Sequence, residues 1–476
     1  MRTARLALEW LVALAIGVAG LALLLNGSFF ANYDALHIDL SINVVASHAL
    51  RNGVNPYGET TLLELANSLG SPSILIYNQL FTSYIQPPTS ALSLLPLTFF
   101  DWRDATHIYL YYNHVMLAAA IIVMLLTVRP TIPLRWVLAA VPVIVALYSQ
   151  VYMSFSLGQI DATQTLLLTV AFWGMTTRRP AVAGTAVAIG AALKIVPGLL
   201  LVYFLWRREY KALAWGVGVG MVLLLLSLAY VGPDIYKTYL TETLPALLKG
   251  STHYSNAAFS AILARANTPD WVGDLPEMLN LNEVTLSTTS RLIGLAFNLS
   301  ALVVVALVLG RARPAVSKAA APEPGSRLAE FYLVVAVGLT ISSVTWDFYT
   351  IWLLPAFIAT FLAPQRVLPG PNALRAVLLI GFAVAFVLIN YPGDIYLFGP
   401  NDWFFHPEWV PGIWAEEKLQ IYHKHLEMVL YIRLPALLLT SALFSSVVLL
   451  HRRVAKRAKP VPSEAPPSAL PAPASS

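Results

Sequence analysis

The feature that most limits what this chain can fold into is a succession of long apolar runs with charged residues gathered at their ends. A helix needs about 20 apolar residues to cross a hydrocarbon core of about 30 Å. Runs of that kind recur from the N-terminus to near the C-terminus. The whole chain is 57% hydrophobic and 12% charged, far from the about 25% charged of soluble domains. An all-α polytopic membrane protein is therefore expected, as one integral membrane domain over 1–459. Expected spans lie at 6–26, 107–128, 135–150, 160–176, 181–194, 195–206, 212–231, 290–310, 328–345, 348–363, 373–391 and 429–450, about twelve in all. The pieces at 181–194 and 195–206 are each too short to span, and read equally as a hairpin or as one kinked helix.

Charge distribution sets an expected orientation. Twenty of the 30 basic residues fall in the N-terminus, the tail and alternate short loops, at positions such as Arg129, Arg178, Arg207 and Arg327. By the positive-inside rule those segments, and both termini, face the cytoplasm. Twenty of the 25 acidic residues fall on the other side. There the outer segments 27–106, 232–289 and 392–428 are long and rich in Trp, Tyr, His, Asn and Pro, which suits loop helices that build a site. The Pro/Ala/Ser-rich inner stretch 314–326 and the tail 460–476 are expected to be disordered. The N-terminal run from Leu6 to Leu25 is longer than the 7–15 residues of a cleavable signal and is expected to stay as the first span.

Several polar clusters on the outer side can carry chemistry. After the first span come Asp34, His37 and Asp39, then Gly53-Val-Asn55-Pro56-Tyr57. A carboxylate there can act as a general base towards a hydroxyl, though spacing alone favours a solvated loop acid, and Asp34 and His37 compete with Asp39 for the role. Tyr84-Ile-Gln86-Pro87-Pro88 reads as a turn near the membrane surface, because paired prolines interrupt a helix. Gly158-Gln159-Ile-Asp161 opens a span, where Asp161 is either a helix-end charge or a site residue. Lys194 lies inside an apolar stretch; a cation at depth lines a polar cavity, meets an anion such as a lipid phosphate, or snorkels to the headgroups. Asn256 and Ser260 share a helix face with Arg265 beyond them, an arginine that suits an anionic head or ordinary lipid phosphate. Asp347 follows Trp346 at a polar junction, as a cap or a site wall.

There is no cysteine, hence no disulfide or thiolate chemistry. No nucleotide-binding loop or metal motif stands out, so an activated substrate is expected to arrive through the membrane.

These clusters, in this order, resemble glycosyltransferase family 87, polytopic enzymes of the GT-C type that use polyprenyl-phosphate sugar donors. The matching pieces are Asp39 with Gly53-Val-Asn-Pro56-Tyr57, Tyr84-Ile-Gln86-Pro87-Pro88, Gly158-Gln159, Ala183-Gly184 through Lys194 and Pro197, Asn256 with Ser260 and Arg265, and Trp346. The resemblance implies a GT-C-like bundle, Asp39 as catalytic acid of the first outer loop, and inverting transfer of a sugar, mannose first among candidates. The acceptor is a hydroxyl of a glycolipid or glycan, and no cofactor or metal is implied. Lys194 and Arg265 are then expected at the donor phosphate. His37, Tyr57, Tyr84, Gln86, Gln159, Asp161, Asn256, Trp346 and Asp347 are expected at the substrate. Three positions depart from the family pattern: the aromatic expected near Asn43, the Asn expected at Asp161, and a His pair where Asp347-Phe348-Tyr349 stands. A bacterial plasma membrane fits the family. The competing class is a transporter or flippase of a lipid-linked sugar or phosphate, weakened by the lack of internal repeats.

Overall fold

The computed structural model describes residues 2–34, 37–57, 66–67, 84–252, 256–267, 286–310, 324–390 and 416–457. The stretch 392–415, most of 314–326 and the tail 460–476 lie outside them. Among the described residues all regular structure is helical: α1 (Arg2–Ser28), α2 (Ile38–Arg51), α3 (Pro88–Ser93), α4 (Trp102–Val128), α5 (Leu134–Ala146), α6 (Ser149–Ser156), α7 (Asp161–Thr176), α8 (Pro180–Leu193), α9 (Leu199–Trp206), α10 (Tyr210–Val231), α11 (Phe259–Asn267), α12 (Thr288–Leu309), α13 (Pro324–Ile341), α14 (Leu354–Leu362), α15 (Asn372–Ile389) and α16 (Glu416–Arg457). Short 3-10 and further helical turns lie between them.

The expected spans fall on helical segments, 135–150 running across α5 and α6 and 348–363 covering a 3-10 segment (Asp347–Leu353) that leads into α14, yet the segments are not equivalent. Among the described residues six helices are long and apolar enough to cross a membrane, seven if α5 and α6, bent by 58° at their junction, form one span. The others are short. The 14-residue α8 is about 21 Å long at 1.5 Å per residue, well under the hydrocarbon thickness. The expectation of about twelve membrane spans thus meets, among the described residues, six or seven helices of full length with shorter ones between them.

Which helices lie where follows from their faces. Leu307 is 73% exposed, Leu126 69% and Val377 65%; such ridges of leucine and valine are costly in water and neutral against lipid. By contrast α13 is buried on nearly every side, and the segment Asp347–Leu362 is almost wholly buried. A helix apolar all round belongs inside a bundle. Its aromatic filling includes Phe172, Phe331, Tyr332, Trp352, Phe357, Phe382 and Phe444. The chain is an all-α integral membrane protein.

The segment 181–206 resolves into a reversal. Pro197 lacks an N–H and its ring conflicts with the carbonyl four residues back, so α8 stops at Leu193. Lys194 is extended (φ −144, ψ 129). A Cβ added at Gly190 would meet Pro197 at 3.4 Å, and one at Gly198 would meet Ala191 at 3.6 Å. Positions seven apart touch, which one continuous helix forbids because they would sit about 10 Å apart. The return strand of this hairpin is α9, and both arms lean on α10. Gly184 makes that possible, since a Cβ there would lie 2.1 Å from the Ala212 carbonyl oxygen.

One end of the bundle gathers arginines. Arg207 pairs with Glu330 at 3.2 Å and Arg327 with Glu209 at 3.5 Å. Arg327 also donates to the Met175 carbonyl at 2.6 Å, and Arg366 to the Val128 carbonyl at 3.5 Å. Arg129, Arg178 and Arg208 take positive φ (56, 57 and 58) just past α4, α7 and α9. A cation there meets the negative end of each helix dipole. The basic loops read from sequence therefore come together in space.

Candidate functional site

At the start of α7, about 24 Å from the arginine end along its 16 residues, α2 docks end-on against the turn that follows α6. The backbone N–H groups of Asp39 and Leu40 both donate to the Leu157 carbonyl, at 2.9 and 3.2 Å. Gly158 makes that approach possible: it has φ +70, and an added Cβ would lie 2.5 Å from the Cβ of Leu40. Gly158→Ala is expected to destabilise the protein by about 2–4 kcal/mol, from left-handed strain plus overpacking. Thermal unfolding in detergent reads that loss, and unchanged unfolding would show α2 docked some other way.

The docking brings three ionisable side chains and one amide into a line. Gln159 Nε2 donates to Asp39 Oδ2 at 2.5 Å. Lys194 Nζ donates to Gln159 Oε1 at 3.0 Å and to Asp161 Oδ1 at 2.9 Å. Trp352 Nε1 donates to the same Asp161 oxygen at 2.9 Å. The ammonium also stands 3.8 Å from the centroid of the Tyr349 ring, within cation–π range. Lys194 and Asp161 are fully enclosed, whereas Asp39 keeps part of its surface open. Burial pushes the Asp39 carboxyl up to about 6, opposed by the Gln159 hydrogen bond and by Lys194. A carboxyl poised there is ionised at neutral pH and still basic enough to take a proton.

The other expected site residues divide. Gln86 lies beside this line, its side chain against Tyr349. Tyr57 and Tyr84 stand behind it. The Tyr57 hydroxyl donates to the Gln86 carbonyl at 2.9 Å, and the two rings pack 5.6 Å apart. Pro88 starts α3, so the paired prolines form the expected corner. His37 is buried with both ring nitrogens on backbone carbonyls, Nδ1 3.0 Å from Phe155 and Nε2 2.9 Å from Asn32. Burial lowers its pKa against the pull of those carbonyls. It fastens the entry to α2.

Asn256 bridges to Trp346 and accepts from the Thr345 N–H at 2.9 Å and the Ala258 N–H at 3.2 Å. Arg265 donates to the carbonyls of Thr252 and Asn256, at 3.1 and 3.0 Å. Together they tie the segment before α11 to the junction after α13. His253 and Ser255, beside Asn256 in the sequence, lie outside the described residues. Asp347 is buried, accepts from the Phe348 N–H at 2.8 Å and pairs with Arg433 on α16. Asp34 stands apart, exposed and paired with Arg103 at 3.6 Å. Of the two acids that compete in sequence, Asp39 meets Gln159 and, through it, is linked to Lys194.

Sequence reasoning passed over Tyr349, Trp352 and Arg433 as site residues. For Arg433 a signal existed: like Lys194, it is a cation inside an expected apolar span, here 429–450. Among the described residues no group of His, Asp and Glu is arranged to hold a metal ion.

Comparison with known proteins bears on this arrangement. A polyprenol-phosphate-mannose-dependent alpha-(1-2)-phosphatidylinositol pentamannoside mannosyltransferase of Mycobacterium tuberculosis is 26% identical over 221 residues, 46% of this chain and 44% of the relative. An alpha-(1-2)-phosphatidylinositol mannoside mannosyltransferase of Mycolicibacterium smegmatis, also polyprenol-phosphate-mannose-dependent, is 23% identical over 69% of this chain and 70% of its own length. The chain thus spans about half the length of the first relative and more of the second. No solved structure matches it. The model of glycosyltransferase family 87 matches residues 84–343, more than half the chain, from the Tyr84–Gln86 corner through Gln159, Asp161, Lys194 and Arg265, with Asp39 on the N-terminal side of the match. On that match the chain belongs to glycosyltransferase family 87.

Proposed function

We propose that this chain transfers a sugar, mannose, from a polyprenyl-phosphate donor to a hydroxyl of a glycolipid or glycan at the membrane face opposite the arginine-bearing end. The observation that carries the reading is the Asp39–Gln159–Lys194–Asp161 line in a member of this family. The partly open carboxylate at its tip suits general-base work. In the reaction the acceptor oxygen attacks the anomeric carbon while Asp39 takes the hydroxyl proton. The bond from that carbon to the phosphate oxygen breaks, and polyprenyl phosphate leaves with the electron pair. One displacement of this kind inverts the anomeric centre. Arg265, on the neighbouring segment, is the cation that opposes the charge growing on the phosphate. The lipid-facing helices allow the polyprenyl chain to stay in the bilayer during transfer.

The test supplies labelled polyprenyl-phosphate mannose to membranes with and without the chain. Label appearing in glycolipid only when the chain is present supports the reading; label that crosses the bilayer still attached to its carrier lipid sinks it and favours a flippase.

The orientation is testable because the chain has no cysteine. Asp34→Cys, at an exposed site, is expected to react with a membrane-impermeant maleimide from outside the cell, and Arg178→Cys only after permeabilisation. The reverse pattern would put the site on the cytoplasmic face.

A further inference from the structure

We propose that Lys194 serves as a positioning residue, which together with Asp161 fixes the Gln159 amide so that its Nε2 faces Asp39. This rests on Asp39 being the base. The chemistry of the amide supports it: one end donates and the other accepts, and the two are close to the same size. The Asp39 carboxylate only accepts and the Lys194 ammonium only donates, so both neighbours select one orientation. Gln159 is itself buried, and its backbone carbonyl accepts from Asn113 at 3.1 Å, which holds the residue in place and leaves the amide turn to be decided by its neighbours.

The ammonium is engaged on all its faces. It donates to Gln159 Oε1 and Asp161 Oδ1 and covers the Tyr349 ring at 3.8 Å. Lys194 and Asp161 also cancel in charge, so the net charge left in the line is that of Asp39. A direct hydrogen bond from Lys194 to a donor phosphate would break one of these contacts. Its influence on the reaction then runs through Gln159. Once the ammonium is lost, the amide can turn its Oε1 towards Asp39. An oxygen facing that carboxyl favours the protonated form, the form that cannot act as a base.

This gives a signature that a purely structural role does not. The protein is purified into lipid nanodiscs, and kcat/KM for labelled polyprenyl-phosphate mannose is followed from about pH 5 to about pH 9. The variants are Gln159→Met and the pair Lys194→Met with Asp161→Asn, which removes both charges together; thermal unfolding confirms that each is folded. Both are expected to move the acidic limb up by about one pH unit, to regain activity at alkaline pH, and to keep donor KM within about twofold of wild type. An unmoved limb with donor KM raised about tenfold would overturn the proposal and make Lys194 a direct phosphate ligand. A paired variant identical to wild type at every pH would also overturn it, leaving Lys194 as a mere counter-charge to Asp161. A wild-type profile with no acidic limb, or one kept by Asp39→Asn, would instead defeat the reading of Asp39 on which the relay depends.

Discussion

Asp39→Asn is expected to lower sugar transfer by on the order of 10²–10⁴-fold, the usual contribution of a general base, while leaving the protein folded. The replacement is nearly isosteric. Its amide oxygen can still accept from Gln159 Nε2, now 2.5 Å from Asp39 Oδ2. The backbone contacts of Asp39 and Leu40 with the Leu157 carbonyl do not involve the side chain. What disappears is the proton acceptor. The pH dependence gives the same result a sign. Burial raises the Asp39 carboxyl to about 6, and only its ionised form can take a proton. Wild-type kcat/KM is therefore expected to fall as pH drops through about 6, whereas the residual activity of Asp39→Asn should show no such limb. Transfer assays across pH, with thermal unfolding as a control for folding, check both parts. Undiminished transfer by the variant would remove Asp39 from the mechanism.

Lys194→Met alone is expected to be among the most damaging single substitutions in the chain. Lys194 and Asp161 are both buried and pair at 2.9 Å. Taking away one partner of a buried pair leaves the other charge without compensation, which costs about 3–5 kcal/mol. Trp352 Nε1 would remain as a donor to Asp161 Oδ1, while Asp161 Oδ2 already has no partner. Adding Asp161→Asn should recover most of that loss, because two neutral groups have no charge to strand. The coupling between the two sites is read as a double-mutant cycle from thermal unfolding in detergent. Additive losses would mean that the two groups do not depend on each other. The exposed pair of Asp34 and Arg103 offers the contrast. Asp34→Ala should change stability by less than about 0.5 kcal/mol, since water already solvates both groups.

Much of this architecture is legible in the sequence because it rests on local signals. Apolar runs locate the helices, and the arginines at their ends predict the basic end that Arg207, Arg327 and Arg366 build. Lys194 is flagged by its depth alone. What stays hidden depends on distant partners. No periodicity separates a lipid-facing helix such as Thr288–Leu309 from the enclosed Asp347–Leu362, since both are apolar. The choice between hairpin and kinked helix at 181–206 turns on whether Gly190 and Pro197 meet, a contact that composition leaves open. His37 and Arg265 look like substrate contacts by residue type, yet their partners include backbone carbonyls. One of them, Phe155, is 118 residues from His37. Carbonyl oxygens carry no sequence signature, so partners of this kind stay hidden in the sequence. The Arg433–Asp347 pair joins segments far apart in the chain and is invisible for the same reason.

Beneath these results lies one chemical event, a single displacement at a sugar carbon driven by proton transfer to Asp39. It is followed most directly with the purified chain in nanodiscs, given an acceptor glycolipid and a polyprenyl-phosphate mannose labelled with carbon-13 at the anomeric position. The expected spectrum shows the label in a new glycosidic bond of inverted configuration, with free polyprenyl phosphate formed in equal amount. A product of retained configuration, or a donor that stays intact, would contradict it.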